Sequence, residues 1–247
     1  MSMSSMGIDF ADIDRDGYVD FFVVDMLSRE HQRRQIQRAN VHPDMMLVPP
    51  GMIDNRPEVM RNTLFLNRGD GTFAEIAQLS GLAASEWSWC PVFLDVDLDG
   101  YEDLLITTGN GHDVLDSDAN ARLEALNKAN TAGKTIKPLP LFPPLETPKF
   151  AFRNGGDLTF VETGKEWGFD AVGVSHGIAL ADFDNDGHKD LFITNGFRRD
   201  SRDKDFQHKW EKLIAESNNN VKLNLEDYLG MMPETRLSNY MYRNNGD

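Results

Sequence analysis

Residues 12–20 read DIDRDGYVD, and two closely similar stretches follow at 95–103 (DVDLDGYED) and 182–190 (DFDNDGHKD). All three fit the pattern D-x-D-x-D-G-x-x-D. Their first residues lie 83 and 87 positions apart, and self-similarity at a nearly fixed period is the sequence signature of a repeat protein. These three stretches, called the acidic loops below, therefore predict three structural repeats.

A second motif keeps step with the acidic loops. It reads NRGDGTF at 67–73, NGGDLTF at 154–160 and NNGD at 244–247. Its first two copies each begin 28 residues before the next acidic loop. Because glycine-containing turns between short apolar runs are typical of β-hairpins, this Asn motif predicts a hairpin in each repeat.

Short apolar runs enter and leave every acidic loop. They cover 8–11, 92–94 and 178–181 before the loops, and 21–24, 104–107 and 191–194 after them. Runs of this length predict strands, so each repeat should hold two hairpins in one four-stranded unit, as in a propeller blade. The predicted fold class is all-β: a β-propeller fragment of about three four-stranded antiparallel blades with helical insertions.

The same register sets the predicted boundaries. The chain reads as one partial propeller over 1–247, with blade units at about 1–80, 81–167 and 168–247, the last incomplete. The interval from an acidic loop to the following Asn motif varies, which indicates inserts at about 26–61, 111–148 and 197–238, with helical patterning at 26–42, 113–132 and 203–217. Because a propeller needs at least four blades to close, we expect a longer parent protein.

The acidic loops carry the residue types of a calcium site. Calcium takes six to eight oxygen ligands, and glycine at position 6 allows the turn that such a loop needs. Position 12, a glutamate in EF-hands, is Val23, Ile106 or Ile193, which argues against that motif. The alternative is an acidic turn without an ion. We predict about three calcium ions, held by the carboxylates of Asp12, Asp14, Asp16, Asp20, Asp95, Asp97, Asp99, Asp103, Asp182, Asp184, Asp186 and Asp190 and by the backbone carbonyls of Tyr18, Tyr101 and His188.

These loops, their spacing from the Asn motif and the run WSWCPVFLD at 87–95 resemble the FG-GAP or VCBS repeats of integrin-α-like propellers. Within that group the chain is most similar to the bacterial proteins related to UnbV and cartilage acidic protein. The resemblance covers nearly the whole chain apart from the inserts. It implies an extracellular, seven-bladed, calcium-bound propeller, while the long helical inserts depart from the pattern and leave the ligand open.

The composition limits the classes of partner that the chain could bind. Forty acidic against 25 basic residues give a net charge of -15, which argues against a nucleic-acid partner and favours metal cations. No apolar run approaches the roughly 20 residues of a membrane helix, and the single Cys90 excludes an intramolecular disulfide. Residues 1–6 lack the features of a signal peptide. The resemblance nevertheless implies an extracellular, cell-surface or periplasmic protein.

Two short motifs resemble known functional motifs, but their positions in the repeat give each of them a structural explanation. GVSHG at 173–177 fits the nucleophile elbow of hydrolases, but Ser175 aligns with Ser88, where a strand leads into an acidic loop. Residues 68–70 read RGD, an integrin-binding tripeptide whose repeat equivalents, GGD and NGD, belong to a hairpin turn. We expect neither motif to be functional.

Several single residues admit a functional and a structural interpretation. Cys90 aligns with two glycines, which favours a buried, inert thiol. Trp87 and Trp89 could stack on sugars, although tryptophans in strands more often belong to a core. A basic stretch could bind an anion or an acidic partner, although a charged helix face is usually solvated; it comprises Arg29, His31, Arg33, Arg34 and Arg38.

Two functions remain after these exclusions. The first is a non-catalytic binding or adhesion scaffold for a protein or polysaccharide at the cell surface. The alternative is a propeller-based polysaccharide lyase or hydrolase with catalytic groups in the inserts or in missing blades. Glu30, Asp113 and Asp200 each follow their acidic loop by ten residues and are candidates for that chemistry. Their recurrence favours a structural role, such as capping the helix of each insert.

Overall fold

The chain folds into three antiparallel β-sheets with a few helices. The structure is a computed structural model, and it describes residues 2–38, 58–129, 141–196, 199, 201, 203–217, 221–222, 224–234 and 237–245. Within these residues the strands dominate, and the helices lie in the segments between them. The prediction of an all-β fold with helical insertions is confirmed.

The first sheet contains four strands in sequence order. They are β1 (Ile8–Ala11), β2 (Asp20–Val23), β3 (Thr63–Asn67) and β4 (Phe73–Glu75). Phe21 pairs with Phe10 on one side and with Phe65 on the other. The first acidic loop joins β1 to β2, and the turn of the Asn motif joins β3 to β4.

The second sheet repeats this arrangement. Its strands are β5 (Ser88–Leu94), β6 (Asp103–Thr108), β7 (Phe150–Asn154) and β8 (Phe160–Glu162). A bulge between Ser88 and Cys90 shifts the register at the start of β5.

The third sheet contains three strands within the described residues. They are β9 (Ile178–Ala181), β10 (Asp190–Ile193) and β11 (Tyr240–Tyr242), with β10 in the middle. β11 follows the third insert and pairs Tyr242 with Leu191. It therefore occupies the place that β3 and β7 take in the other sheets.

Alternating side chains of the second sheet pack on both of its neighbours. Leu104 and Ile106 of β6 belong to the core shared with the first sheet, whereas Leu105 belongs to the core shared with the third. β7 divides its side chains in the same way. Because successive residues of a strand point to opposite faces, this sheet is buried on both sides, which explains the continuous apolar run of β6.

The outer face of the first sheet carries a row of phenylalanines. The rings of Phe21 and Phe65 stack with centroids 4.6 Å apart, and Phe10 and Phe73 extend the row at 5.9 and 5.2 Å from Phe21. Phe10 is 58 % exposed and Phe73 is 44 % exposed. Their repeat equivalents in the second sheet are buried in the core shared with the first, and these are Phe93, Leu104, Phe152 and Phe160.

Four helices occur in the described residues. α1 (His31–Arg38) lies in the first insert and α2 (Ser117–Ala129) in the second. α3 (Lys204–Glu216) and α4 (Leu225–Gly230) lie in the third, and α4 falls outside the segments predicted to be helical. None of these helices combines the length and the apolar character that a membrane-spanning helix needs.

The chain divides into two compact units. The first comprises Met1–Thr194 and Tyr240–Asp247 and contains all three sheets, and the second is Asn195–Asn239. Inside the second unit, Tyr228 of α4 packs edge-on against Phe206 and Trp210 of α3. In the sequence these two aromatic residues, together with Leu213 and Ile214, follow the i, i+4, i+7, i+8 spacing of an amphipathic helix.

Candidate metal centres in the acidic loops

Glycine at position 6 of each acidic loop makes the turn. Gly17, Gly100 and Gly187 have φ angles of 90°, 94° and 95°, in the region that side chains with a Cβ rarely adopt. The turn predicted at this position is therefore present in all three loops.

Position 4 is left-handed as well, which the sequence analysis missed. Arg15, Leu98 and Asn185 have φ angles of 63°, 58° and 59°. Asparagine is among the residues that tolerate this region, whereas arginine and leucine are not enriched there. Only the third loop thus carries a residue type that could have signalled this conformation.

Backbone N–H groups hold the first and fifth carboxylates in place. The N–H of Gly17 donates to Asp12 at 2.9 Å, and those of Gly100 and Gly187 donate to Asp95 and Asp182, each at 3.0 Å. The N–H at position 7 donates to the carboxylate at position 5, at 2.8 to 2.9 Å in every loop. These bonds curl each loop around its acidic side chains.

The curled loops gather carboxylate oxygens. In each loop three carboxylates offer one oxygen apiece, and these oxygens lie within 4.8 Å of one another. The groups are Asp12, Asp14 and Asp20 in the first loop, Asp95, Asp97 and Asp99 in the second, and Asp182, Asp184 and Asp190 in the third. Asp16, Asp103 and Asp186 fall outside these groups, and the predicted carbonyl ligands at Tyr18, Tyr101 and His188 stay predictions.

The last aspartate of each loop has a second role that the sequence analysis missed. Asp20 accepts one bond from the N–H of Ile13 at 3.0 Å and another from the N–H of Asn67 at 2.7 Å. Asp103 and Asp190 make the same pair of bonds, the second always to the asparagine of the Asn motif. All three side chains are buried, and their bonds tie each acidic loop to the Asn motif of the same repeat.

In two of the loops an arginine forms ion pairs with the carboxylates. Arg153 forms an ion pair with Asp97, and Arg243 approaches Asp184 at 2.7 Å and Asp186 at 3.2 Å. Both arginines directly precede the asparagine of the Asn motif, where the first repeat has Leu66. The first loop therefore lacks this source of positive charge.

The donor set fits a hard cation such as calcium. Asp95 has an oxygen, Oδ1, that is buried without a hydrogen-bond partner in the described residues. Burial, followed by the nearby Asp16 carboxylate, raises the pKa of Asp14, and burial raises the pKa of Asp103 to about 7. A positive charge at these positions would favour the ionised carboxylates, and such oxygens are the ligands that calcium prefers.

A stretch that runs from inside the first insert into β6 is similar to a known repeat. Residues 41–106 match the FG-GAP-like repeat. The match includes β3, β4, β5 and the second acidic loop, and it ends inside β6. No curated protein matches the chain.

The hairpin turn of the first Asn motif accounts for the RGD tripeptide. Gly69 has a φ of 70°, and a Cβ there would lie 2.6 Å from the ring of Tyr18. Asp70 accepts bonds from the N–H and the hydroxyl of Thr72 at 2.9 and 2.6 Å. The glycine and the aspartate therefore serve the turn.

Neighbouring acidic loops are in contact with each other. The guanidinium carbon of Arg15 lies 5.1 Å from the ring centroid of Tyr101 in the second loop. The side-chain amide of Asn154 donates to the carbonyl of Ile13 in the first loop at 2.8 Å. The same asparagine donates its backbone N–H to Asp103, so it links both loops.

The GVSHG motif, which we expect not to be functional, lacks the features of an active serine. Ser175 is fully buried, and its hydroxyl has no hydrogen-bond partner in the described part of the chain. It precedes β9, which runs into the third acidic loop as the repeat predicts. Cys90 is half-buried, and burial raises the pKa of its thiol, which disfavours the reactive thiolate.

The two tryptophans of the second repeat serve the packing of the sheet. Trp87 is buried in a small cluster with Met26 and Leu145. Trp89 donates its indole N–H to the carbonyl of Gly109 at 2.7 Å and packs edge-on against His176. The structural interpretation of both residues therefore accounts for their positions.

The residues that follow the loops have structural roles in the first two inserts. Glu30 accepts bonds from the N–H groups of Gln32 and Arg33 and so caps α1, as expected. Asp113 does not cap α2, since Asp116 accepts the bond from the N–H of Ala119 at the start of that helix. Asp200 lies outside the described residues.

Asp113 instead joins a buried ion group. Arg33 of α1 donates to Asp113 at 3.1 Å and to Glu86 at 2.6 Å. Glu86 also accepts from the hydroxyl of Ser28 at 2.7 Å, and it holds a φ of 61°. No motif marks Glu86 in the sequence, because its partners Ser28 and Arg33 lie more than 50 residues away in the first insert.

The basic stretch is distributed over different contacts. Arg33 belongs to the ion group just described, whereas Arg29 forms an ion pair with Glu162 at 3.0 Å. Arg34 donates to the carbonyls of Ser28 and Arg29 at 2.8 and 3.2 Å. His31 is exposed, and the side chain of Arg38 lies outside the described residues.

Proposed function

We propose that this chain is part of a calcium-braced β-propeller that serves outside the cell as a non-catalytic binding or adhesion scaffold for a protein or polysaccharide. The observation that carries this proposal is the gathering of three carboxylate oxygens within 4.8 Å in each of three equivalent loops. The FG-GAP-like repeat supports the propeller scaffold.

Electrostatics explains why a cation should be part of the fold. Two carboxylates about 4 Å apart repel by roughly 4 kcal/mol at an effective dielectric constant near 20. Arg153 and Arg243 offset part of this repulsion in the second and third loops. The first loop has Leu66 in place of the arginine, so it has the most to gain from calcium.

The proposed ligands follow the sequence prediction, with one refinement. The gathered carboxylates would provide the oxygens, and the bound ion would supply the positive charge that keeps each loop closed. Asp20, Asp103 and Asp190 already accept two backbone bonds each. They would therefore add at most their remaining lone pairs.

The location and the closer kinship are part of the same proposal. We place the protein outside the cell, at its surface or in the periplasm, and close to the UnbV and cartilage acidic protein group. Both statements rest on the resemblance of the acidic loops and the Asn motif. Two of the three residues named as catalytic candidates for the enzyme alternative make structural contacts instead. Glu30 caps a helix, and Asp113 pairs with Arg33.

Calcium titration tests the proposal. Protein stripped of metal with EDTA and returned to chelator-free buffer should gain melting temperature as calcium is added, because a ligand of the native state alone stabilises it. Calorimetry should report about three sites. The double variant Asp12→Asn with Asp14→Asn should lose one of them.

A matched variant distinguishes the loss of calcium ligands from a general change in net charge. Asp118→Asn with Asp205→Asn removes two exposed carboxylates from helices outside the loops, and it should keep all the sites. A melting temperature that does not change when calcium is added, together with no heat of binding even at millimolar calcium, would overturn the calcium proposal.

A further inference from the structure

A cavity of about 450 Å³ in the first unit is lined by three arginines. Arg29 and Arg34 come from the first insert and Arg61 from the segment just before β3. Leu27, Gln78 and Ala84 contribute to the rest of its wall. Three arginines among the residues that line one cavity are unusual in a chain whose net charge is -15.

The three side chains are held in place by the surrounding structure. The guanidinium of Arg29 lies over the rings of Phe152 and Phe150, at 5.0 and 5.7 Å from their centroids. Arg34 is fixed by its two bonds to backbone carbonyls. Arg61 donates to Glu75 at 2.5 Å. A ligand would therefore meet positions that are already ordered, which reduces the entropy lost on binding.

The positive charge at this cavity exceeds the negative charge. Glu162 and Glu75 pair with Arg29 and Arg61, and neither carboxylate is among the described residues that line the cavity. Arg34 has only backbone carbonyls as acceptors in the part of the chain that the structure describes. Arg61 has a terminal nitrogen, Nη1, that is buried there without an acceptor.

We propose that this arginine cavity binds an oxyanionic group, a carboxylate or a sulfate. The planar guanidinium matches such groups through paired hydrogen bonds, and arginine is the residue most often used for this recognition. An oxyanion would supply the counter-charge that Arg34 lacks. The site is separate from the acidic loops, so it does not depend on the calcium proposal.

Titration with simple anions tests the site. Sodium sulfate and sodium acetate are added to the whole chain in calcium-containing buffer, against sodium chloride at the same ionic strength, while heat and melting temperature are recorded. Sulfate or acetate should give a saturable heat of binding where chloride does not. Because sulfate stabilises folded proteins in general, its effect on the melting temperature counts only as the difference between the parent chain and Arg34→Gln. Dextran sulfate against neutral dextran then shows whether an anion carried on a polymer binds as a free ion does.

Variants locate the site. Arg34→Gln and Arg61→Gln should weaken anion binding at least tenfold, and Arg34→Lys should weaken it less because it keeps the charge. Arg68→Gln, in the exposed hairpin turn, is the matched control and should bind as the parent chain does. If Arg61→Gln does not fold, the two Arg34 variants still decide the matter.

Two results would overturn the inference. The first is a parent chain that responds to sulfate and acetate no more than to chloride. The second is an equal loss of binding in Arg34→Gln and Arg68→Gln, which would mean that the anions respond to overall charge. Either result leaves the calcium titration unaffected, so the two proposals fail separately.

Discussion

Asp20 and Asn67 belong to different motifs, and a 2.7 Å hydrogen bond from the backbone N–H of Asn67 to Asp20 joins them across the first insert. The same bond joins Asp103 to Asn154 and Asp190 to Asn244. The chain between the partners holds insert sequence of different length in each repeat. The bond therefore joins the two segments of chain that flank each insert in the sequence, which explains why the two motifs recur together.

Removing this bond should cost stability even without calcium. Asp20→Asn replaces one accepting oxygen by an NH2 group that faces a backbone N–H. We expect the free energy of unfolding to fall by about 2 kcal/mol, the usual effect of leaving a buried donor without a partner. Urea unfolding in the presence of EDTA measures it. Asp118→Asn, which changes an exposed carboxylate of α2 outside the loops, is the control, and an equal loss in both variants would contradict the assigned role.

The left-handed position 4 offers a stabilising substitution. Leu98 is 47 % exposed and has a φ of 58°, a conformation that asparagine adopts more readily. Leu98→Asn should raise the free energy of unfolding by roughly 0.5–1 kcal/mol. The reverse change in the third loop, Asn185→Leu, should lower it by a similar amount. Thermal unfolding of both variants checks the pair, and the same sign in both would be incompatible with a backbone effect.

The arginine beside the second loop should reduce its dependence on calcium. Arg153→Met removes the ion pair with Asp97 and makes this loop resemble the first, which has Leu66. We expect a lower melting temperature in EDTA and a larger increase when calcium is added, because the ion then neutralises the carboxylates alone. Arg68→Met makes the same chemical change in an exposed turn and should leave the increase unaltered.

A buried lysine should make the stability of the protein vary with pH in the alkaline range. Lys149 is 1 % exposed, its ammonium donates to the carbonyl of Ala171 at 3.0 Å, and burial lowers its pKa to about 8. The ordinary value of 10.5 applies to the unfolded chain. Between about pH 8 and pH 10.5 the unfolded chain binds more protons, so native stability rises with pH across this window. Below it the cost of burying the charge is fully present.

Comparison with Lys149→Met isolates this effect from other titrations. The stability of the parent chain relative to the variant should improve by about 1–3 kcal/mol from pH 8 to pH 10.5. Chemical unfolding at several pH values measures the difference. A difference that stays constant, or that changes in the opposite direction, would show that Lys149 titrates normally.

The phenylalanine row on the first sheet should promote association. Phe10, Phe21, Phe65 and Phe73 occupy the face that the second sheet uses to pack on its neighbour, and exposed apolar patches of this kind mark interaction surfaces. We expect the 247-residue chain to oligomerise at tens of micromolar. Phe10→Ser with Phe73→Ser should reduce this, as light scattering can show. Val161→Ser, an isolated exposed apolar residue, should not, and a monodisperse parent chain would contradict the expectation.

The sequence predicts the repeated part of this fold well, because each signal occurs more than once. The apolar runs at 8–11 and 178–181 coincide with β1 and β9, and the glycine at position 6 has the expected φ in all three loops. These features depend on local turn chemistry and on strand periodicity. Both are readable from neighbouring residues.

Long-range polar contacts could not be predicted in the same way. In the sequence pattern the last aspartates of the loops resemble further metal ligands, and only the folded chain shows that Asp20, Asp103 and Asp190 bond to the Asn motif. Glu86 meets Arg33 and Ser28 from more than 50 residues away. Its contacts occur once in the chain, so no repetition marks them.

The contact between Arg15 and Tyr101, together with the bond from Asn154 to Ile13, has a consequence for how the ions would bind. Both contacts reach from the first acidic loop to the second repeat. An ion that orders one loop would therefore change the freedom of the other, and such coupling is reciprocal between two binding sites. Calcium should fill neighbouring loops cooperatively, so the chain would respond to a narrow range of calcium concentration.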